Sequence, residues 1–254
     1  MPTVRGTTAD GTTPNETTVS VVIPAYNESK VIEACLRALS AQTQPSDEIV
    51  LVDNNSSDDT VALASAFPNV RVVTEHRQGI TYARTTGFDS ATMDVIARID
   101  ADTVVSPNWV ETIRSEFDGH PDVDALAGNA AVYEFSPGRR YWATWWYRTF
   151  RRWHEKSIGV SPMMYGYNCA LRRGAWADIR SIVSFDDQVI SEDVDVTISL
   201  LKTGHTVKFS PRLVVKCHMF RTIDFGKLKR YYDTDGITLA KHRFGNPARW
   251  KAAA

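Results

Sequence analysis

The sequence predicts an α/β fold, a mostly parallel sheet flanked by helices, on three observations. From residue 19 to about 119, short β-branched runs alternate with stretches of helical periodicity, as in strands joined by crossover helices. The longest apolar stretches, around 19–23 and 49–52, are strand-sized and far below the roughly 18–20 residues of a membrane span. Polar clusters follow the apolar runs directly, where an open parallel sheet places its ligands.

The elements follow in order. Residues 19–23 form a buried strand ended by Pro24, and a helix over about 28–41 puts Val31, Ile32, Cys35, Leu36 and Leu39 on one face. Residues 48–52 are a second strand, and Ser57 or Asp58 caps a helix running to about Ala66. A strand at 70–74, a helix at 81–90 and a strand at 94–99 come next, the last ending in Asp100-Ala101-Asp102. Ser106-Pro107 opens a further helix, a capping residue before proline at the first helical position. Beyond Gly119 the alternation loosens. Residues 124–135 read as extended, 139–156 as helix and 165–171 as strand. Ser191 caps a helix that runs through Leu201 to Gly204. Short strands at 205–209 and 213–218 and a terminal helix at 224–244 complete the pass, with no internal repeat.

The composition is that of an ordinary soluble globule: 254 residues, 43% hydrophobic and 23% charged, which excludes disordered and collagen-like classes. The net charge of −1 gives no reason to expect nucleic acid, yet it conceals two opposed halves. Residues 1–138 carry 8 basic and 20 acidic side chains, and residues 139–254 carry 21 and 10. Cys35, Cys169 and Cys217 are widely spaced without a CxxC, so neither a zinc ribbon nor a disulfide framework is expected, and a reducing cytosol fits best. Residues 1–18, rich in Thr, Gly and Pro, read as a mobile tail and not as a signal peptide.

Four polar clusters, 24–28, 53–60, 79–84 and 100–102, should gather along one sheet edge. Asp100 and Asp102 sit two apart on an extended segment and point the same way. Two readings stand side by side. The pair holds a magnesium or manganese ion that also meets the phosphates of a nucleotide, or Asp102 caps the next turn while Asp100 pairs with Arg98.

With V-S-V-V-I-P-A-Y-N-E at 19–28, D-x-x-S-x-D-x-T at 53–60, D-A-D at 100–102 and S-E-D at 191–193, the chain resembles the family 2 glycosyltransferases of the Rossmann-like GT-A fold, from residue 19 to about 203. The resemblance implies a single GT-A domain, with a nucleotide-sugar-binding part at 19–120 and a smaller acceptor-binding and catalytic part at 121–222. A basic C-terminal helix or tail follows at 223–254. It implies that Pro24, Ala25 and Tyr26 lie against base and ribose, Glu28 accepts from the ribose hydroxyls, Asp53 reads the base edge and Arg84 lies near the phosphates. Asp102 would bind Mn2+ or Mg2+, Asp100 the ribose or the same metal, and Ala101 the donor between them. His218 stands where a third metal ligand is sometimes found, or is an incidental strand-end histidine. Asp193 matches the general base, and Glu192 is its neighbour, gripping the acceptor. Gly166 and Asn168 match the acceptor-side strand. Trp176 stacks on a sugar face or packs in the core. The donor is a UDP- or GDP-sugar, and inversion is implied. No Q-x-x-R-W follows the acidic pair, so a single-sugar transfer is expected in place of processive synthesis. A nucleotidyltransferase and a non-catalytic nucleotide-sugar binder are the alternatives. The first would carry a Gly-rich basic loop after its opening strand, and residues 24–27 contain neither glycine nor a basic residue.

Residues 139–153 hold four Trp, two Tyr, one Phe and five Arg. On a helix, Trp142, Trp146 and Trp153 fall on one side with Trp145 beside them. This face covers the acceptor site or a homodimer contact, lies in a membrane interface, or stacks on carbohydrate. With the basic segment 223–254 it suggests a lipid-linked or otherwise anionic acceptor and a cytoplasmic protein, peripheral on the membrane face.

Overall fold

The computed structural model describes residues 16–132, 137–185, 189–217 and 225–250. The β-branched runs of the first half become parallel strands: β1 (Val19–Ala25), β2 (Glu48–Asp53), β3 (Val70–Thr74) and β4 (Val95–Arg98). They lie in the order β3-β2-β1-β4, with Ala25 beside Asp53 and Asp53 beside Thr74, so their carboxyl ends line up. Side chains alternate across the sheet. Val19, Val21 and Ile23 pack with Ile32, Cys35, Leu36 and Leu39 of α1 (Ile32–Ser40) on one face. Val22, Val50 and Val52 pack with Ala83 and Phe88 of α3 (Ile80–Ser90) on the other. A Cβ at Gly87 would run into the Val22 side chain, so this glycine allows α3 to approach β1 closely. Between these helices α2 (Thr60–Ser65) connects β2 to β3.

The second half extends the same sheet with mixed polarity. After β5 (Val104–Val105) and α4 (Trp109–Gly119) come β6 (Ala125–Val132), α5 (Pro137–Ile158), β7 (Cys169–Arg172), α6 (Arg173–Ile179), α7 (Glu192–Lys202), β8 (Val207–Cys217), α8 (Phe225–His242) and α9 (Pro247–Trp250). The eight-stranded order is β3-β2-β1-β4-β7-β6-β8-β5. β7 runs antiparallel to β4 and β6, β6 and β8 are parallel, and β5 closes the edge antiparallel to β8.

Several boundaries differ from expectation. Residues 28–31 are a turn, with the Glu28 carbonyl accepting from the N–H groups of Val31 and Ile32, so α1 starts four residues late. Pro107 precedes α4 and does not open it: the Ser106 carbonyl accepts from Trp109 N–H and Asn108 holds the cap position. Residues 165–168 turn instead of pairing, which leaves β7 four residues long. The two short strands expected at 205–209 and 213–218 are one strand, β8, whose register against β6 shifts between Ala127 and Asn129, and Pro211 falls within that irregularity. Ser191 holds the cap position of α7 but makes no side-chain cap; its N–H donates to Thr238 Oγ1 at 2.8 Å.

Buried polar contacts fasten the second half. Asn168, fully buried, donates through Nδ2 to the carbonyls of Asn129 and Leu213 and accepts from Trp109 Nε1 at 2.9 Å. Asp195 of α7 accepts from the Ser184 N–H at 2.7 Å and faces His242 Nε2 at 2.7 Å, and these contacts hold its carboxyl below the usual range despite burial. His154 of α5 lies 2.8 Å from Asp235 of α8 and 3.0 Å from the Tyr165 hydroxyl. Thus α8 is tied to both α5 and α7.

Candidate active site

The loops after β1, β2 and β3 form one laced edge. Asn27, in the left-handed region at φ 54°, accepts from Ser57 N–H, and its own N–H donates to Ser56 Oγ at 3.1 Å. The Glu28 N–H donates to Thr60 Oγ1. Asn54 spans to the third loop, donating to the carbonyls of Glu75 and Arg77 and accepting from Gly79 N–H. On this edge Pro24 and Ala25 are buried, Tyr26 is half exposed, and Glu28 is partly buried. Asp53 is nearly covered, one carboxylate oxygen accepting from Ser56 N–H at 3.0 Å.

The chemistry converges on Arg98, the last residue of β4. Its guanidinium, almost wholly buried, lies 2.6 Å from Glu192 Oε1, 3.5 Å from Asp100 Oδ1 and 3.8 Å from Asp193 Oδ1. Burial opposes its charge, but these three carboxylates outweigh that and hold the proton more firmly than usual. Asp193, in the first turn of α7, also accepts from Gly166 N–H at 3.0 Å. Burial first, then the Glu192 charge, pushes the Asp193 carboxyl up to about 7, against the pull of Arg98. Asp100 is pushed up to about 6 by partial burial and then by Asp102 and Glu192, again against Arg98. Its side chain keeps 44% exposure, so it stands at the open side of the cluster.

Asp100, Glu192 and Asp193 thus face Arg98, Glu192 also faces Arg84, and Asp102 lies within electrostatic reach of Asp100, so acids outnumber cations here. Asp100 and Asp102 are hard oxygen donors suited to Mg2+ or Mn2+. Among the described residues no three His, Cys, Asp or Glu side chains group to hold a metal. An ion held by these two carboxylates would have to take its remaining ligands from phosphate oxygens and water. His218 lies outside the described residues, as do residues 1–15 of the expected 1–18 tail and residues 251–254, whereas Thr17 and Thr18 are not loose but hydrogen-bond to Asp118 and Asp94.

Arg84, Asn168 and Glu192 lie otherwise than expected, and Trp176 takes the second of its two readings. Arg84 does not face the open edge: it is buried on α3, 3.8 Å from Glu192 Oε2, its charge weakened by burial, and it backs the acid pair from within. Asn168 is consumed by its three structural hydrogen bonds. Trp176 is core: its indole N–H donates to Asp89 and its ring meets Phe88 edge-on, 5.0 Å between centroids. Glu192 turns inward to the two arginines, where it positions Arg98. Gly166 has a role that motif matching did not give it, since a Cβ there would collide with the Arg98 guanidinium.

Two residues stand beside this cluster that the sequence pattern does not place there. Arg98 entered the sequence reading only as a partner for Asp100; the signal available was a lone cation inside an apolar strand directly before two acids. Tyr231 of α8 lies within electrostatic reach of Asp193 and Asp100, and burial together with those charges raises its phenol. No periodicity signals that, because α8 reaches the site from the far end of the chain. A cleft of 530 Å3 lies at the opposite edge around Asp94, Arg173, Asp178 and His205, beside the residue that precedes β4 and so away from these groups.

Comparisons with known proteins place the chain in a family and a fold. The model for Glycosyl transferase family 2 matches residues 20–180. Glycosyltransferase AglE of Haloferax volcanii is 32% identical over 219 residues, 83% of this chain and 69% of that protein. Glucosyl-dolichyl phosphate glucuronosyltransferase of the same organism is 30% identical over 136 residues, 49% of this chain, which spans 44% of that protein. Among solved structures, mannosyltransferase PcManGT of Pyrobaculum calidifontis, in complex with GDP-Man and Mn2+, superposes with a TM-score of 0.67 at 22% identity, covering 94% of this chain and 68% of that one. No described helix is long and apolar enough to cross a membrane. With the strand order, the acidic edge and the family match in agreement, this chain belongs to glycosyl transferase family 2 and has the GT-A fold.

Proposed function

We propose that the protein transfers one sugar from a UDP- or GDP-sugar to an acceptor hydroxyl with inversion, Asp193 acting as general base. The observation that carries the reading is the placement of Asp193, held by Gly166 N–H and facing Arg98 across from Asp100. A carboxyl raised to about 7 is ionised in part at neutral pH and basic enough to take a hydroxyl proton. As Asp193 accepts that proton, the acceptor oxygen bonds to the anomeric carbon, the bond from that carbon to the diphosphate oxygen breaks, and its electron pair leaves with the nucleoside diphosphate. Asp100 and Asp102 would hold Mg2+ or Mn2+, which neutralises charge on the departing diphosphate. Glu192, itself faced by Arg84, fixes Arg98, and Arg98 keeps Asp193 from being protonated outright. The loops bearing Tyr26, Glu28 and Asp53 receive the nucleoside. Manganese and GDP-Man in the PcManGT complex support the donor class, and the dolichyl phosphate in the name of the Haloferax relative supports a lipid-linked, anionic acceptor.

Asp193→Asn is the test. Turnover should fall by about 10²–10⁴-fold while calorimetric binding of UDP or GDP with manganese persists. Turnover at the wild-type level would remove Asp193 as base, and nucleotide binding that ignores manganese would remove the metal role of Asp100 and Asp102.

A further inference from the structure

The outer face of α5 is not used by the transfer mechanism proposed above. Tyr141, Trp142, Trp145, Trp146, Phe150 and Trp153 are 47–68% exposed, whereas Arg151, Glu155 and Ile158 turn inward and are buried. Isolated exposed aromatics are ordinary, but six on one helix make a continuous apolar surface that marks an interaction site. Arg148, Arg152 and Lys156 are exposed along one flank. The only acid in the helix, Glu155, is buried and paired with Arg151 at 2.8 Å. α8, tied to α5 through His154 and Asp235, exposes Lys229 and Arg230.

We propose that this face docks on the surface of an anionic lipid bilayer, with the tryptophan rings in the headgroup region and the arginines against lipid phosphates. A helix with aromatic residues outward, cations on its flank and no length of apolar chain able to span is built to lie in the interface. Charge complementarity selects the occupant. A symmetric second copy would set α5 against α5 and bring the arginine flanks together with no exposed acid on the helix to receive them. A sugar takes a concave site, and this face is the convex side of a helix. The inner face explains the placement: Tyr147 packs on Tyr167, next to Gly166 and its bond to Asp193, so docking α5 brings the acceptor side of the site to the lipid.

Co-sedimentation of the full chain with phosphatidylcholine vesicles, with and without phosphatidylglycerol, tests this. Binding should appear with phosphatidylglycerol and fall by about fivefold for each of Arg148→Gln and Arg152→Gln, the equivalent of about 1 kcal/mol per charge. A triple variant, Trp142→Ser, Trp146→Ser and Trp153→Ser, should lose about tenfold or more with an unchanged unfolding midpoint, because all three rings are exposed. Equal binding to neutral and anionic vesicles, or a triple variant that binds like the parent, overturns the proposal. So does a parent that ignores vesicles and sediments as a dimer that the triple variant dissolves.

Discussion

The two halves of the sheet are held by different forces. In β1, β2 and β4 the buried side chains are mostly Val, Ile, Leu and Ala, packed between α1 and α3, and these strands pair with one another in parallel. In β6, β7 and β8 the joints are polar: Asn168 bridges three elements, Arg151 donates to the Gly128 carbonyl from a buried position, and Asp195 and Asp235 tie helices together. The first half depends on shape, which many apolar side chains satisfy. The second depends on partners, which few side chains replace.

Same-size substitutions sharpen that contrast. The largest effect is expected where the halves meet. Arg98→Met should cost about 3–5 kcal/mol in chemical denaturation, because it leaves buried carboxylates without their cation. It should also move the rise in activity to higher pH: Arg98 lowers the Asp193 pKa, so its loss raises a value already near 7, and the base ionises later. Asn168→Leu preserves volume but strands the Trp109 N–H and two carbonyls, and should cost about 3 kcal/mol or more. Leu51→Ile, equally buried in β2, should cost less than about 1.5 kcal/mol. A similar loss in both swaps would break the distinction. Smallest of all, Arg37→Ala removes an exposed pair with Glu33 and should shift stability by no more than about 0.5 kcal/mol.

The same difference explains what was legible in the sequence. Strands such as 19–25 and 48–53 announce themselves, since a run of β-branched residues buried on both faces needs no distant information. The motif acids Asp53, Asp100 and Asp193 were found at strand ends and a helix start because those positions are local. In the second half, two short strands at 205–209 and 213–218 are expected where β8 runs unbroken, because its pairing with β6 shifts register between Ala127 and Asn129. Asn168 looked like a ligand contact because its three partners come from residues 109, 129 and 213, a convergence that exists only after folding. Arg98 was undervalued for the same reason.

The close approach of Gly166 and Arg98 has a consequence for inheritance. A β-carbon at position 166 and a guanidinium from position 98 compete for one volume. An arginine at 98 therefore restricts 166 to glycine, and a shorter residue at 98 releases it. Across related chains the two positions should vary together, and a lineage that loses the arginine should reach an alanine at 166 only after that loss.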